Sequence, residues 1–479
     1  MLVERSRKRT KIVATIGPAS RSPAILRSLV DAGLNVARLN FSHSSHAEHR
    51  ATIDDIRRVA TESGVPIAIL QDLPGPKVRT GPHAAGVDSV RLENGASFFL
   101  STIPLEGTSA GVSVSYEGLA RDVEPGKRIY LADGAFALRI VSASADRIET
   151  LVEVGGDLRA QQGINYPDGT LAIEAVTDRD LEHLAFGLDA GVDWVAISFV
   201  KSVEDVLRVK RFIAERGKHT PVIAKIEKHE ALDVIDAIIA AADGIMVARG
   251  DLGIEIPLEQ VPAVQKDLIA RANRVSKPVI TATQMLESMI SAARPTRAEA
   301  TDVANAILDG TDAVMLSGET ARGAYPIEAV RTMATLARQI EIDYPHELLR
   351  YRRMANVDRS IETTIAEAAA QMAEELGLRY IVTGTTTGNT ARHISSFRPH
   401  ANIVAMTPIP EVARRMSLFW GVEAVVVDSY RYIETLIDIV EARMLREKLG
   451  DPGETIAITS GMPVGQGGTN VVKLHKLPS

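Results

Sequence analysis

The chain has 479 residues, and its 54 Lys plus Arg against 61 Asp plus Glu give a formal net charge of −7. This balance argues against a nucleic-acid scaffold, because a duplex-binding domain normally carries a basic surface that displaces counterions. Hydrophobic residues make up 45% of the chain and Cys is absent, so full cores can form but disulfides, thiolate zinc sites and iron–sulfur clusters cannot.

The N-terminal segment has no targeting pattern. MLVERSRKRTKI is basic, but no apolar core or cleavage pattern follows it, and no stretch of about 18 uncharged apolar residues occurs in the chain. We therefore expect a cytoplasmic protein with no membrane partner. At ~100 to 200 residues per domain, the length predicts roughly three domains.

Eight short β-branched runs recur along the first part of the chain, each followed by a stretch with helical periodicity. Near-continuous apolar runs are typical of parallel strands buried on both faces, and their alternation with helices indicates βα units. The runs are KIVATIG from Lys11, NVARLN from Asn35, PIAILQD from Pro66, VDWVAISF from Val192, PVIAKIE from Pro221, DGIMVAR from Asp243, PVITATQ from Pro278 and DAVMLSG from Asp312. Eight units predict a (β/α)8 TIM barrel over residues 1–81 and 176–343, and Ser202 with Asp205 predicts a capping box at one of its helices.

About 100 residues interrupt the alternation after the third run. They have the pattern of strands and turns, with Asp133 and Gly134 where a two-residue type I′ hairpin turn would lie. We predict a small β-barrel domain inserted over residues 82–175. Because it leaves the barrel at the exit of a strand, it would lie over the catalytic face and act as a lid.

The alternation of strands and helices restarts after Asp343. YIVTGT, ANIVAMT, VEAVVVD and ETIAITS alternate with helical stretches, and NVVKLHKL follows. This pattern predicts an open α/β domain over residues 344–479. A polar loop, TGTTTGNTAR from Thr383, joins a strand to a helix. Its amides and hydroxyls suit a phosphate, although an ordinary capped turn has the same pattern.

Polar groups stand at the C-terminal ends of seven barrel strands, where barrel enzymes place their catalytic groups. For any one of these residues, helix capping is about as good an explanation as a catalytic role. It is a much weaker explanation for a whole set that converges on one face. The residues are Arg38 and Asn40, Asp72, Ser198, Lys225 and Glu227, Arg249 and Asp251, Thr283 and Gln284, and Ser317 and Glu319.

Two carboxylates on adjacent strands form a candidate divalent-metal site. Glu227 follows Lys225 by two residues and would point the same way, while Asp251 follows the neighbouring strand, about 4.8 Å away. Two carboxylates with open positions suit Mg²⁺. An ion pair between Lys225 and one carboxylate is the alternative. With Arg38 adding positive charge, a metal here predicts an anionic, phosphorylated substrate.

These motifs resemble, in order, the barrel signatures of the pyruvate kinase family. They are TIGPAS from Thr15, ARLNFSH from Ala37, AKIE from Ala224, MVARGDLG from Met246, TATQMLESM from Thr281, PTRAEATDVANAILDG from Pro295 and MLSGETARG from Met315. The plan of barrel, inserted lid and C-terminal effector domain resembles that family too. The resemblance implies conversion of phosphoenolpyruvate and ADP to pyruvate and ATP, the last step of glycolysis, in an allosteric homotetramer.

The resemblance also implies roles for the charged residues at the strand ends. Glu227 and Asp251 would hold Mg²⁺, or Mn²⁺ in its place. Lys225 would stabilise the phosphoryl group during transfer, and Arg38 would contact it.

Further roles follow from the same resemblance. Gly250, Asp251 and Thr283 would bind the substrate carboxylate, and the Gly250 and Asp251 amides lie at the start of a short predicted helix, where an anion is favoured. Thr283 and Ser317 are both candidates for ordering the proton relay to the enolate. The nucleotide contacts would come from Asn40, His43 and Arg79.

Two positions depart from the potassium-dependent members of the family. Those members carry Glu where this chain has Lys77 and Thr where it has Leu73, whereas the other branch carries Lys and Leu and does not require potassium. An ammonium group can supply the charge of a bound monovalent cation and would repel K⁺, although a solvated hinge lysine is the alternative. We expect K⁺-independent turnover, although four potassium-type ligands remain: Asn40, Ser42, Asp72 and the Leu73 carbonyl.

A third departure is Gln162, where a nucleotide-contacting Lys is common in the family, so the nucleotide preference stays open. In the C-terminal domain, the polar loop resembles the family's effector phosphate loop, and GMPVGQGGTN from Gly461 would face it. The resemblance thus implies a phosphorylated effector bound by Thr385, Thr386, Thr387, Gly388, Asn389 and Thr390.

Two rival functions differ from this one in class. Barrel lyases that stabilise a pyruvate enolate with Mg²⁺ and two carboxylates share the metal chemistry but need neither a nucleotide nor a lid. A catalytically inactive sensor of the effector is disfavoured, because Lys225, Glu227, Asp251 and Thr283 are all present.

Overall fold

The computed structural model describes residues 8–346, 349, 359–461 and 468–479. Most of the loop expected to face the effector site, residues 462–467, therefore lies outside the described residues. Among the helices that are described, each is too short or too polar to cross a bilayer.

Eight parallel strands close into a barrel, as predicted. Their order around the ring follows the chain, with the inserted domain between the third and fourth strands. Barrel strands 1 to 8 are Lys11–Thr15, Val36–Asn40, Ala68–Leu73, Trp194–Ile197, Val222–Ile226, Gly244–Ala248, Val279–Ala282 and Ala313–Leu316. Their side chains are almost all buried, because helices cover the outer face of the ring and the inward-facing residues fill its interior.

Helices return the chain between the barrel strands. Ser202 caps Val203–Glu215 and forms the predicted capping box with Asp205. The other helices of this part are Pro23–Ala32, His46–Ser63, Asp178–Ala190, His229–Asp233, Ile235–Ala241, Arg249–Glu255, Val261–Arg274, Arg297–Leu308, Gly318–Ala321 and Pro326–Ile340, with 3₁₀ turns at Leu258–Gln260, Glu287–Ile290 and Glu341–Asp343.

The inserted domain is all-β apart from one short helix, Leu119–Asp122. Asp133 and Gly134 both have positive φ (54° and 89°), as a type I′ hairpin turn requires. Hydrogen bonding divides the strands into a six-stranded and a two-stranded sheet, and bridges of Arg79 with Gly163 and of Thr80 with Val114 connect the segments at the two edges of the larger sheet. In chain order the strands are Ser89–Leu92, Ser97–Ser101, Gly111–Ser113, Arg128–Leu131, Phe136–Ala143, Arg147–Val154, Gly156–Arg159 and Ile164–Asn165.

The C-terminal domain is an open five-stranded sheet with helices, as the alternating pattern predicted. Its strands, in sheet order, are Val422–Val426, Asn402–Thr407, Tyr380–Gly384, Thr455–Ser460 and Val471–Lys476. The first four are parallel, and the last is an antiparallel edge strand. Its helices are Ile361–Glu375, Asn389–Ser396, Pro410–Met416 and Ile433–Arg446.

An Asn or Asp immediately precedes each even-numbered barrel strand and ties it to the strand before. In each case a side-chain oxygen accepts a hydrogen bond from a backbone N–H of the preceding strand. The pairs are Asn35 with Ile12 at 3.0 Å, Asp193 with Ile69 at 2.8 Å, Asp243 with Val222 at 2.9 Å, and Asp312 with Val279 at 2.9 Å. These bonds satisfy N–H groups at the end of the barrel opposite to the candidate catalytic face.

Two of these aspartates also bind arginines of the C-terminal domain. The Arg414 Nε donates to Asp193 Oδ1 at 2.8 Å, and the Arg398 Nη1 donates to Asp312 Oδ1 at 2.9 Å. The side chains of Arg398 and Asp312 are only 2% and 6% exposed. The C-terminal domain is therefore attached through charged contacts to the starts of barrel strands 4 and 8.

The Arg398 and Asp312 pair gives a stability prediction. Asp312→Ala leaves a buried guanidinium unpaired, which costs about 3–5 kcal/mol. We expect the apparent melting temperature, measured by differential scanning calorimetry at a fixed scan rate, to fall by at least about 6 °C.

The matched control is Asp451→Ala, which removes an ion pair of similar length (2.7 Å to Arg379 Nη1) whose side chains are 53% and 76% exposed. Its melting temperature should change by less than about 2 °C, because exposed pairs contribute about 0–1 kcal/mol. Equal shifts in the two variants would contradict the assigned role of burial.

Candidate active site

Lys225 lies at the centre of a charged cluster at the C-terminal ends of the barrel strands. Its Nζ is 2.8 Å from Glu227 Oε1 and 3.3 Å from Asp72 Oδ1. The same amine donates to Ser198 Oγ at 2.6 Å. Barrel strands 3, 4 and 5 thus bring their end residues to one ammonium group, which makes it nearly immobile.

Asp72 connects Lys225 to a second cation. The Arg38 Nε donates to Asp72 Oδ2 at 2.7 Å, while Arg38 Nη1 donates to Thr15 Oγ1 at 2.8 Å. Thr15 in turn donates to the Leu316 carbonyl at 2.9 Å. One buried carboxylate therefore holds two positive groups side by side at the face where the sequence predicted an anionic substrate.

Burial and charge together set the ionisation of this cluster. Burial opposes the charged form of Asp72, but Lys225 and Arg38 outweigh it and hold its pKa below the usual value. Burial also opposes the charged form of Lys225, and the carboxylates of Asp72 and Glu227 outweigh it and raise its pKa. Lys225 therefore stays protonated, and Asp72 ionised, at neutral pH.

Glu227 and Asp251 have the character expected of a metal-binding pair. Burial raises the pKa of Glu227, and the nearby charge of Asp251 raises it further, against the opposing charge of Lys225. Repulsion between two carboxylates in a buried site is what a divalent cation relieves, and all-oxygen donors suit Mg²⁺. The ion pair of Lys225 with Glu227, the alternative considered from the sequence, is also present here.

Glu227 is held by the backbone of the neighbouring strand end. Its Oε2 accepts a hydrogen bond from the Phe199 N–H at 2.8 Å. Phe199 has φ of 57°, an uncommon backbone conformation for a bulky residue, and such outliers cluster at functional sites.

The helix after barrel strand 6 contacts the loop after strand 7 at Gly250 and Thr283. Thr283 Oγ1 accepts the Gly250 N–H at 2.8 Å and donates to the Ala282 carbonyl at 2.6 Å. Thr283 itself has φ of 68°. Arg249 is buried beside this contact, and its guanidinium donates to Asp302 at 2.7 Å and to the Thr283 carbonyl at 2.7 Å. Arg249 therefore fixes the helix Arg249–Glu255 rather than facing a substrate.

A cavity of about 580 Å³ opens beside Arg38. Asn40, His43 and Ser317 are among the residues that line it, and its size suits a nucleotide. Arg79 does not line this cavity. It lies at the base of the insert, where its Nη1 donates to the Gln161 carbonyl at 3.1 Å.

Three of the four potassium-type ligands already have partners within the protein. Asn40 Oδ1 accepts the Ser42 N–H at 3.1 Å, and the Leu73 carbonyl accepts Ser198 Oγ at 2.8 Å. The Asp72 carboxylate is paired with Arg38 and Lys225, as described above. The Lys77 amine lies 3.8 Å from Asp133 Oδ1 of the insert.

The polar loop of the C-terminal domain borders a separate cavity of about 420 Å³. Thr385 Oγ1 accepts the Gly388 N–H at 2.9 Å, and Gly388, with φ of 87°, precedes the helix Asn389–Ser396. The Thr390 hydroxyl is hydrogen-bonded to that of Thr469, which lies just beyond the undescribed segment. The lining includes Thr385, Thr386, Thr387, Asn389 and Thr390.

Comparisons with known proteins identify the family. Residues 7–330 match the family described as pyruvate kinase, barrel domain, and residues 363–475 match the one described as pyruvate kinase, alpha/beta domain. The chain belongs to the pyruvate kinase family.

Curated relatives of this family cover nearly all of the chain. It is 47% identical over 476 residues to "Pyruvate kinase 2" of Synechocystis sp. and 45% identical over 472 residues to the pyruvate kinase of Staphylococcus saprophyticus. These matches cover 98% of this chain and 79% and 80% of the two relatives. A crystal structure of a pyruvate kinase from Cryptosporidium parvum superposes with a TM-score of 0.94 at 36% identity, covering 99% of this chain and 97% of that one. The chain is therefore an enzyme of the phosphotransferase class, and the expected family is confirmed.

Some residues that shape this pyruvate kinase site had no role assigned from the sequence. Thr15 orients Arg38, and Ser198 links Lys225 to the Leu73 carbonyl. Glu319, buried at the end of strand 8, accepts the Leu286 and Ser317 N–H groups at 3.1 and 2.7 Å. Their position at strand ends indicated a place in the site. Hydroxyls and carboxylates at strand ends also cap the following helices, so spacing alone could not distinguish a site residue from a helix cap.

Asp72 yields a prediction for the pyruvate kinase site. Asp72→Asn keeps the shape but removes the charge that holds Arg38 and Lys225 together. We expect kcat to fall at least about 100-fold, since the loss of one preorganised electrostatic group typically costs 10²–10³. Steady-state kinetics at saturating substrates measure this.

The control is Asp157→Asn, the same chemical change at an exposed carboxylate of the insert, 3.5 Å from Arg91 Nη1. It should keep kcat within twofold. A kcat for Asp72→Asn within threefold of the parent would show that the carboxylate does not organise the two cations.

Proposed function

We propose that the enzyme transfers the phosphoryl group of phosphoenolpyruvate to ADP, giving ATP and the enolate of pyruvate, which is then protonated at carbon. The observation that supports this most is the continuous contact from Arg38 through Asp72 and Lys225 to Glu227, beside a cavity of nucleotide size. Fixed cations at the end of a barrel match a reaction whose catalysis is mainly positioning and charge stabilisation.

The residues of the site form three groups in this scheme. Arg38 and Lys225 face the transferred group, with the Lys225 amine balancing charge that develops on its oxygens. Glu227 and Asp251 would hold Mg²⁺ or Mn²⁺, which when bound supplies Lewis-acid charge to the substrate oxygens. Gly250 and Thr283 orient the substrate carboxylate.

The proton for the enolate carbon has two candidate routes. Thr283 is hydrogen-bonded to the loop that carries Asp251, and Ser317 lines the cavity beside Arg38. Both hydroxyls can order a relay, and the geometry favours neither. On the nucleotide side, Asn40 and His43 line the cavity, and Arg79 would contribute from the base of the insert.

Regulation and assembly belong to the same proposal. A phosphorylated effector would bind at the loop Thr385–Thr390, where the Thr hydroxyls border the cavity and a helix begins. The phosphorylated metabolite that converts a sigmoidal dependence of velocity on phosphoenolpyruvate into a hyperbolic one would identify this ligand.

We also propose a homotetramer in the cytoplasm, in keeping with a glycolytic enzyme.

Lys225→Met tests the reaction and the role of the amine together. In a coupled assay for ATP formed from ADP and phosphoenolpyruvate, the parent enzyme is expected to be active and this variant to lose at least about 10³-fold in kcat, because the charge that stabilises the moving phosphoryl group is gone. Mn²⁺ binding, followed by electron paramagnetic resonance, should change less than fivefold.

Lys210→Met is the matched control for that change. Lys210 donates to Asp243 Oδ1 at 2.9 Å at the opposite end of the barrel, and its removal should leave kcat within twofold. An active Lys225→Met enzyme would remove Lys225 from the mechanism. Absence of ATP formation by the parent, with pyruvate released instead from an aldol substrate, would favour the lyase class.

Turnover that does not depend on K⁺ is part of the proposal. Lys77 is four residues from Leu73, and its amine, 3.8 Å from Asp133 Oδ1 of the insert, would supply positive charge near the potassium-type ligands once the insert moves. At constant ionic strength, replacing tetramethylammonium by K⁺ should change the kcat of the parent less than tenfold. Lys77→Glu should make kcat rise more than tenfold with K⁺, and Lys77→Met serves as the uncharged control. A parent enzyme activated more than tenfold by K⁺ would contradict this.

A further inference from the structure

Glu255 is a fully buried carboxylate that the scheme above does not use. It is the last residue of the helix Arg249–Glu255, and its side chain is 0% exposed. Its Oε1 lies 2.8 Å from Lys228 Nζ and accepts Asn165 Nδ2 at 3.1 Å. Its Oε2 lies 3.3 Å from His229 Nδ1.

The contacts of Glu255 join three separate parts of the molecule. Lys228 and His229 directly follow Glu227 in the chain, so they belong to the loop that carries one metal-binding carboxylate. Glu255 itself is one helical turn after Asp251, the other carboxylate. Asn165 belongs to the last strand of the insert, Ile164–Asn165.

The contacts of Glu255 are made with groups of the protein itself. His229, Glu230 and Glu255 place ligand atoms within 4.8 Å of one another, which is compatible with an ion. Both oxygens of Glu255, however, already lie against groups of the protein: Oε1 against Lys228 and Asn165, and Oε2 against His229. The cluster is therefore better suited to holding backbone segments in place than to binding a ligand.

We propose that Glu255 is a positioning residue that sets Asp251 against Glu227 and, through Asn165, links the position of the insert to the metal-binding pair. This rests on the proposed metal role of Glu227 and Asp251. One carboxylate contacts both metal-bearing segments and the insert, so a shift of the insert changes the hydrogen bond that orients Glu255. Metal binding should in turn restrict the base of the insert, because such coupling is reciprocal.

The first test measures Mn²⁺ binding to the full chain without substrates, by electron paramagnetic resonance. Glu255→Gln keeps the shape and the acceptor to Asn165 but loses the ion pair with Lys228, and it should weaken Mn²⁺ binding at least tenfold. The control is Lys201→Met, which breaks another tether between barrel and insert, from Lys201 Nζ to the Leu171 and Ile173 carbonyls at 2.9 and 2.8 Å. That variant should bind Mn²⁺ within twofold of the parent.

The second test uses Asn165→Ala, which leaves Glu255 and its charged partners in place and so is expected to fold. Hydrogen exchange by mass spectrometry follows the segment 156–165. Saturating Mn²⁺ alone should slow exchange there at least fivefold in the parent and in Lys201→Met, but less than twofold in Asn165→Ala.

Two results would overturn the inference. One is Mn²⁺ affinity of folded Glu255→Gln within threefold of the parent, and the other is exchange in segment 156–165 that Mn²⁺ does not slow in the parent. Either result in an enzyme that still forms ATP leaves the proposed reaction intact. If the parent binds no Mn²⁺ and forms no ATP, the proposed function itself fails.

Discussion

The site depends on one buried carboxylate. Asp72 contacts Arg38 and Lys225 at the same time, and without it two cations would face each other in a region of low dielectric. Burial makes each charge costly alone and makes their mutual attraction strong, so the cluster is stable only as a complete set. The same property suits it to catalysis, because groups already fixed in place need not reorganise when charge develops on a substrate.

The polar residues at the two ends of the barrel make different kinds of contact. At the C-terminal end, polar side chains are directed at one another and at open cavities. At the opposite end, Asn35, Asp193, Asp243 and Asp312 satisfy N–H groups between neighbouring strands, and two of them also bind arginines of the C-terminal domain. These arginine contacts lie at the starts of strands 4 and 8. Those strands lead to Ser198 and Ser317 at the active face.

Much of the architecture could be predicted because its signals are local. Eight β-branched runs predicted the eight barrel strands, and Ser202 with Asp205 predicted a helix start, since periodicity and capping depend on neighbours in the chain. The roles of Asn40, His43, Arg79 and the effector loop stay predictions.

Contacts between side chains that are distant in the sequence had no local signal from which to predict them. Lys228, His229 and Asn165 have no motif that links them to Glu255, and Thr15 has none that links it to Arg38. Chain spacing determined that Lys225, Glu227 and Asp251 would share one face of a barrel, because residue alternation and the fixed distance between strands require it. Only the tertiary structure decided which buried charges pair, because pairing depends on side-chain reach and burial, which adjacent residues do not set.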